Sequence, residues 1–178
     1  MAKIQPFKGY LPPPDLAKKV SSPPYDVLSS SEARKMVQNN SDSFLRIIKP
    51  EVDYSTSQLP DNDSLYNHAS KNLEDFIKKG NFTQDENSCF YLYQISLGNH
   101  KQTGIIAAVS IDEYNRGLIK RHEFTRPEKE DDRTKHIEIT NANSGPVLLT
   151  FRNDGSDQHF TITDKKEENT FFISCTYS

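Results

Sequence analysis

The pattern that most constrains this fold is a helical spacing of apolar residues, followed directly by the alternating spacing of a β-strand. Apolar residues recur every three or four positions over residues 63–77, which is the spacing of one helix face, and Gly80 stands where a left-handed residue would end that helix. Apolar residues then alternate over residues 91–97, Gly98-Asn99 supplies a tight turn, and residues 104–111 form a nearly continuous apolar run. This second pattern predicts a hairpin with one buried strand.

Shorter signals extend the same mixture along the chain. Ser29 and Glu32 have the spacing of a capping box and predict a helix to about Asn39. Pro127 suits a first helical turn and predicts a helix over residues 128–140. Further strands are predicted at residues 44–49, 118–120, 147–151, 159–163 and 170–177. Because helices and hairpins are intermixed without regular βα alternation, we expect an α+β fold with a mixed or antiparallel sheet and about three flanking helices.

Prolines dominate the first 28 residues, and they predict an extended N-terminal arm with one short helix near residues 15–20. Proline fixes φ and removes a backbone donor, so little regular structure is expected there. We therefore expect three regions: the arm at 1–28, a main α+β domain at 29–152 and a β-rich C-terminal segment at 153–178.

Composition excludes several classes of protein. The net charge is -3 and the pI about 6.0, so no global positive field would hold nucleic acid, and we consider nucleic-acid binding unlikely. The N-terminus lacks the apolar core of a signal peptide, and no apolar run is long enough to span a bilayer. A cytoplasmic protein without membrane contact is the expectation.

Charged residues of both signs crowd into residues 117–152 and mark the candidate site. Its first half holds the predicted strand-end residues, which are Lys120, His122, Glu123 and Thr125, although Thr125 could instead cap the following helix. A strand end followed by a helix would set side chains on a rigid base beside free amides.

The second half of the stretch offers a candidate anion site. Lys129, Arg133 and His136 fall at i, i+4 and i+7, on one helix face, where they could hold a phosphate or carboxylate. The alternative is a solvated face of ion pairs. Asn143, near the end of the stretch, is a further candidate for substrate binding.

Tyr25 and Asp26 form a second candidate group because two prolines immediately before them stiffen the backbone. They would form a rigid turn that buries Tyr25, or Asp26 would face a ligand or metal. The usual phosphate-loop, dinucleotide, zinc-protease and serine-hydrolase motifs do not occur in the sequence. No set of metal ligands is predicted.

Four blocks carry a resemblance to a known family. They are SSPPYDVL (21–28), SFLRIIKPEVD (43–53), LYQISLGNHKQTGIIAAVSIDEY (92–114) and GLIKRHEFTRPEKEDDRTKHIEITNANSGPVLLTF (117–151). In this order they resemble the bacterial and archaeal family called domain of unknown function 1015, whose members are often about twice this length. Their second half is similar to the ParB and sulfiredoxin-like fold, which also hosts free-serine kinases. By this resemblance the chain looks like an N-terminal part.

The resemblance implies a nucleotide or phosphorylated ligand, such as ATP or ADP with Mg²⁺, and phosphoryl transfer to a small hydroxyl compound such as serine. Glu123 or Asp26 would be the general base or the magnesium carboxylate, His122 a further catalytic candidate, and Lys129 and Arg133 would stabilise charge. The alternative is a non-catalytic module that binds a protein or a regulatory ligand. The sequence gives neither the oligomeric state nor proof of enzymatic activity.

Overall fold

The computed structural model describes residues 2–121 and 124–150, together with the backbone of residues 174–176. These residues form six α-helices: α1 (Pro14–Val20), α2 (Ser30–Val37), α3 (Leu45–Ile48), α4 (Asn62–Lys78), α5 (Ile111–Asn115) and α6 (Pro127–Thr140). Single-turn 3-10 helices lie at Tyr25–Val27, Pro50–Asp53 and Thr56–Gln58. The strands are β1 (Ile4–Gln5), β2 (Tyr10–Leu11), β3 (Thr83–Gln84), β4 (Tyr91–Leu97), β5 (His100–Ile106), β6 (Ala108–Val109) and β7 (Ser174–Thr176).

The strands make three small sheets. β1 pairs with β6 and β2 with β3, both antiparallel. The third sheet has the order β5-β4-β7, in which the β4–β5 hairpin is antiparallel and β7 is parallel to β4. The predicted α+β class is confirmed, with six described helices where about three were expected.

The apolar core lies among the helices and consists of two clusters. The first contains Ala33, Val37, Leu45, Ile48 and Val52, and the second contains Val20, Ile47, Phe76 and Phe82. Phe44 packs against both clusters, so α3 and the residue before it join α2 on one side to α1 and α4 on the other. Helix α6 packs against α4 and adds the buried His136 to this body.

The prediction of a strand at residues 44–49 is wrong, because these residues form the short helix α3. Leu45, Ile47 and Ile48 are all buried, so the segment is apolar on nearly every side. Periodicity cannot distinguish a buried helix from a buried strand over so few residues. Packing between the two clusters overrides the preference of β-branched isoleucines for strands.

The first 28 residues carry more structure than an extended arm. The predicted short helix is present as α1, but between residues 2 and 28 the structure does not show the arm. β1 and β2 pair with strands from later in the chain, and Tyr25–Val27 is a 3-10 helix. Short strands can form there because every proline of this region lies outside β1 and β2, where no ladder hydrogen bond is needed.

The hairpin prediction is confirmed in topology, since β4 and β5 pair directly and Gly98 adopts φ 57° in the turn. The predicted buried strand is wrong, because β5 is exposed over all but its last residue. The apolar run 104–111 is instead divided among β5, β6 and α5, which Ser110 begins by accepting a hydrogen bond from the Glu113 N–H. No strand is present at residues 118–120 or 147–150; residue 151 and the strand predicted at 159–163 lie outside the described residues.

Candidate functional site

Helix α6 carries most of the predicted site residues and is fixed to the core near its C-terminal end. Pro127 occupies the first helical position, and Asn141 ends the helix with φ 50°, in the left-handed region. His136 is 1% exposed, and its Nε2 lies 2.9 Å from the Ile47 carbonyl oxygen of α3. The first residues of α6, 127–131, are exposed, whereas its C-terminal end is anchored in the core.

Arg133 of α6 stacks on the ring of Tyr25, which belongs to the Tyr25–Val27 turn. The guanidinium carbon lies 4.2 Å from the ring centroid, within the range of a cation–π contact. The structure thus brings together two residues that were predicted as site residues from separate parts of the sequence. Tyr25 is partly buried, and Asp26, the next residue, is exposed.

The Asp132 carboxylate also binds the Arg133 guanidinium, through hydrogen bonds. Its Oδ2 accepts hydrogen bonds from Arg133 Nε at 3.0 Å and Nη2 at 2.7 Å, and its Oδ1 accepts one from the Tyr66 hydroxyl at 2.7 Å. Burial raises the pKa of the Asp132 carboxyl, but the bonds from Tyr66 and Arg133 and the charges of Arg133 and Lys129 outweigh it, so that pKa is lowered. Asp132 is therefore ionised at neutral pH.

The Tyr66 hydroxyl keeps its proton at neutral pH. Burial, followed by the hydrogen bond to Asp132 and the charge of that carboxylate, raises the Tyr66 pKa to about 12. A continuous series of contacts therefore runs from α4 across α6 to the N-terminal turn. It consists of Tyr66, Asp132, Arg133 and Tyr25.

The three cationic candidates of α6 do not share one environment. Lys129 is exposed, Arg133 is partly buried, and His136 is in the core. Burial lowers the His136 pKa, and the charge of Arg133 lowers it further against the effect of the Ile47 carbonyl and Asp132. His136 is therefore neutral at pH 7, and the structure separates it from the surface cations with which the sequence grouped it.

The chain was compared with known families, curated proteins and solved structures. A family model described as protein of unknown function (DUF1015) matches residues 4–176. The chain belongs to this family. The resemblance drawn from the sequence blocks is confirmed to that extent. Neither a curated protein nor a solved structure matched the chain.

A cleft of about 430 Å³ lies at the start of α6 in this DUF1015 chain. Its lining residues are Tyr114, Arg121, Phe124, Thr125, Pro127 and Glu130. The Arg121 guanidinium carbon lies 5.2 Å from the Tyr114 ring centroid. Thr125 is thus at a cleft, but its predicted capping role is wrong, because the N-cap is Arg126 and makes no side-chain cap bond.

The other predicted site residues have varied positions. Lys120 is exposed beside the cleft residue Arg121, and His122 and Glu123 lie outside the described residues. Asn143 is exposed, and its Oδ1 accepts a hydrogen bond from the Gly145 N–H at 3.2 Å. It lines neither the cleft at the start of α6 nor the cleft described next.

Tyr66 and Asp132, which contact each other beside Arg133, were not predicted as site residues from the sequence. Both also line a second cleft, of about 390 Å³, whose other lining residues are Asn62, Asp63, Glu128, Asp131 and Lys135. Tyr66 counted only as one apolar position of α4, and no local signal pairs it with α6. Within residues 2–121 and 124–150, no three His, Cys, Asp or Glu side chains come together as a metal site, and no helix there is long and apolar enough to cross a membrane.

Proposed function

We propose that this DUF1015 chain is part of an enzyme that binds a nucleotide or a phosphorylated metabolite and transfers a phosphoryl group to a small hydroxyl compound such as serine. The observation that supports the proposal is the oriented guanidinium of Arg133. It is fixed by two hydrogen bonds to Asp132 and by stacking on Tyr25. A fixed guanidinium suits phosphate recognition, because less side-chain freedom is lost when the ligand binds.

Arg133 has donors left for a ligand. Its Nε and Nη2 contact Asp132, whereas Nη1 makes no hydrogen bond to any residue that the structure describes. Lys129, one helical turn earlier and exposed, adds a second positive charge close enough to act on Asp132. Together these two cations would neutralise a phosphate or the charge that develops during its transfer.

The chemistry assigns the remaining candidates. In phosphoryl transfer, the substrate hydroxyl oxygen attacks phosphorus, its proton passes to a base, and the bond from phosphorus to the leaving oxygen breaks. Asp26 or Glu123 would accept that proton. His122, which is next to Glu123 in sequence, would be a further catalytic residue, and Lys120 and Thr125 would be further ligand contacts. Asp26 is exposed and directly follows Tyr25, the residue whose ring stacks on the Arg133 guanidinium.

The residues present fit an anionic ligand better than a protein-bound metal cage. Magnesium commonly takes one or two protein carboxylates and several oxygens from substrate phosphates, so Asp26 or Glu123 would be sufficient. When bound, ATP with Mg²⁺ would supply the phosphoryl group, and Arg133 and Lys129 would orient it.

Calorimetric titration with ATP, ADP, serine and phosphoserine at millimolar concentration tests the proposal. We expect phosphorylated ligands to bind and Arg133→Ala to weaken them about ten- to hundred-fold, since a hydrogen bond to a charged group contributes about 1.5–3 kcal/mol. Arg116→Ala is the matched control, because Arg116 is exposed and, among the described residues, its side chain hydrogen-bonds only the Asp112 carbonyl oxygen of α5. Absence of binding by all four ligands would refute the proposal.

A second candidate is a non-catalytic module that binds a protein or regulatory ligand. It is favoured by exposed apolar side chains within the charged stretch of residues 117–152, since Phe124 is 92%, Leu148 82% and Val147 79% exposed. Exposed apolar groups of this kind often mark interaction surfaces. The calorimetry separates the two candidates, because this module predicts no binding of the phosphorylated ligands that depends on Arg133.

A further inference from the structure

We infer that Tyr66 and Asp132 are positioning residues that hold the Arg133 guanidinium over the Tyr25 ring in the orientation that an anionic ligand requires. This inference rests on the proposed function, because it gives Arg133 the role of binding the phosphate. It adds a specific device, in which a hydroxyl on α4 sets the direction of a cation on α6.

The geometry of α6 shows why Asp132 needs an external partner. Asp132 and Arg133 are adjacent in the helix, and adjacent helical side chains point in directions about 100° apart. They nevertheless make two hydrogen bonds, from Nε and Nη2 to the same Oδ2. The carboxylate must therefore be turned toward Arg133, and the Tyr66 hydroxyl bond to Oδ1 at 2.7 Å fixes that turn.

Tyr66 is suited to this task because its own position is fixed. It lies on α4, the longest helix of the described chain, which contributes Ala69 and Phe76 to the buried body. The Tyr66 ring also meets the buried His136 ring edge to face, with centroids 6.5 Å apart. Because its pKa is raised to about 12, the hydroxyl remains a hydrogen-bond donor at physiological pH.

The expected benefit is preorganisation. A free arginine side chain loses considerable rotamer entropy when it binds a ligand. Here Asp132 holds one edge of the guanidinium and Tyr25 covers one face, so much of that loss occurs on folding. Asp132 also offsets part of the positive charge, which lets Arg133 remain partly buried without a bound anion.

The test is Tyr66→Phe, which removes one oxygen atom and keeps the ring. Tyr91→Phe is the matched control, because the Tyr91 hydroxyl also donates to an aspartate, Asp85, at 2.5 Å and its pKa is likewise about 12. Tyr91 lies in β4, and neither its hydroxyl nor Asp85 hydrogen-bonds Arg133. Two properties are measured: exchange of the Arg133 Nε–H proton with water by NMR, and the dissociation constant for ADP by calorimetry.

We expect Tyr66→Phe to speed the Arg133 Nε–H exchange several-fold and to weaken ADP binding about three- to ten-fold, the effect of losing one ordinary hydrogen bond, while Tyr91→Phe changes neither. As a third measurement, NMR titration of the Asp132 carboxyl should show a higher pKa in Tyr66→Phe, because the Tyr66 hydrogen bond lowers that pKa. Unchanged Nε–H exchange in Tyr66→Phe, or faster exchange with unchanged ADP affinity, overturns the inference. If the wild-type chain binds no phosphorylated ligand, the proposed function fails, and the ligand-positioning role of Tyr66 fails with it even where the Nε–H exchange responds.

Discussion

Replacing the buried His136 with alanine would reveal whether this residue is part of the core or part of a ligand site. The sequence grouped it with Lys129 and Arg133 as a phosphate contact, whereas the structure buries it with Nε2 donating to the Ile47 carbonyl oxygen. Its Nδ1 is buried and has no hydrogen-bond partner among the described residues. We expect His136→Ala to destabilise the fold.

The size of the effect follows from three contributions. Truncating a large buried side chain costs about 2–4 kcal/mol, and leaving the Ile47 carbonyl oxygen without its partner costs about 1–2 kcal/mol more. Removing the unsatisfied Nδ1 relieves about 1–2 kcal/mol. The net loss should be about 2–4 kcal/mol, a large part of the stability of a typical domain.

The pH dependence provides the second half of the test. Burial holds the His136 pKa below its ordinary value of 6.5, so in mildly acidic solution the unfolded chain binds a proton that the folded chain does not. The free energy of unfolding therefore falls as the pH drops below 6.5 toward the folded-state pKa. Above pH 6.5 the histidine is neutral in both states, so this loss of stability does not occur. Asp132, whose pKa is lowered from 3.8, titrates in a more acidic range.

Urea unfolding followed by circular dichroism, at several pH values between 7.5 and 5.5, measures both effects. The wild-type chain should lose stability toward pH 5.5 with a steeper slope than His136→Ala, since the variant lacks this titrating group. The reasoning is refuted if the variant is as stable as wild type, or if both chains show the same slope. A stable variant with reduced affinity for phosphorylated ligands would instead support the grouping inferred from sequence.

Two local signals give further predictions, both measured by urea unfolding. Ser29→Ala should lower the free energy of unfolding by about 1 kcal/mol because it removes the N-cap of α2. Thr125→Ala should change it by less than about 0.5 kcal/mol, since Thr125 caps no helix. Equal effects of the two substitutions would contradict the assignment of Ser29 as a cap and of Thr125 as a residue that is not one. Gly80→Ala should cost about 1–2 kcal/mol because Gly80 has φ 78° and its added Cβ meets no atom within 4 Å, leaving only backbone strain. Gly145→Ala, also in open space but without positive φ, should not destabilise the chain.

Sequence predicted the elements whose signals are local. The capping box of Ser29 and Glu32 forms as predicted, and α4 ends before a left-handed Gly80 as its apolar spacing indicated. These features depend on hydrogen bonds and dihedral angles within a few residues. Helix α3 could not be predicted in this way, because its conformation is decided by two clusters formed from distant segments.

The candidate site was predictable as a set of residues but not as an arrangement. Tyr25 and Arg133 were each selected from sequence, yet nothing in either segment indicates that the Arg133 guanidinium stacks on the Tyr25 ring. Spacing placed Lys129, Arg133 and His136 on one helix face, but it could not show that α4 covers the His136 end of that face. Tertiary packing divides a continuous face into a surface part and a core part.

The pairing pattern of α6 bears on whether its charges are a solvated surface or part of a site. A solvated helix is stabilised by ion pairs at i, i+4, as between Glu74 and Lys78 on α4, where both side chains are largely exposed. Within the part of the chain that the structure describes, the only ion pair of α6 joins adjacent residues, Asp132 and Arg133. That pair also binds a hydroxyl from α4 and a ring from the N-terminal turn. An arrangement that uses three segments to orient one guanidinium exceeds what solvation of a helix requires, and this is why the proposed function rests on Arg133.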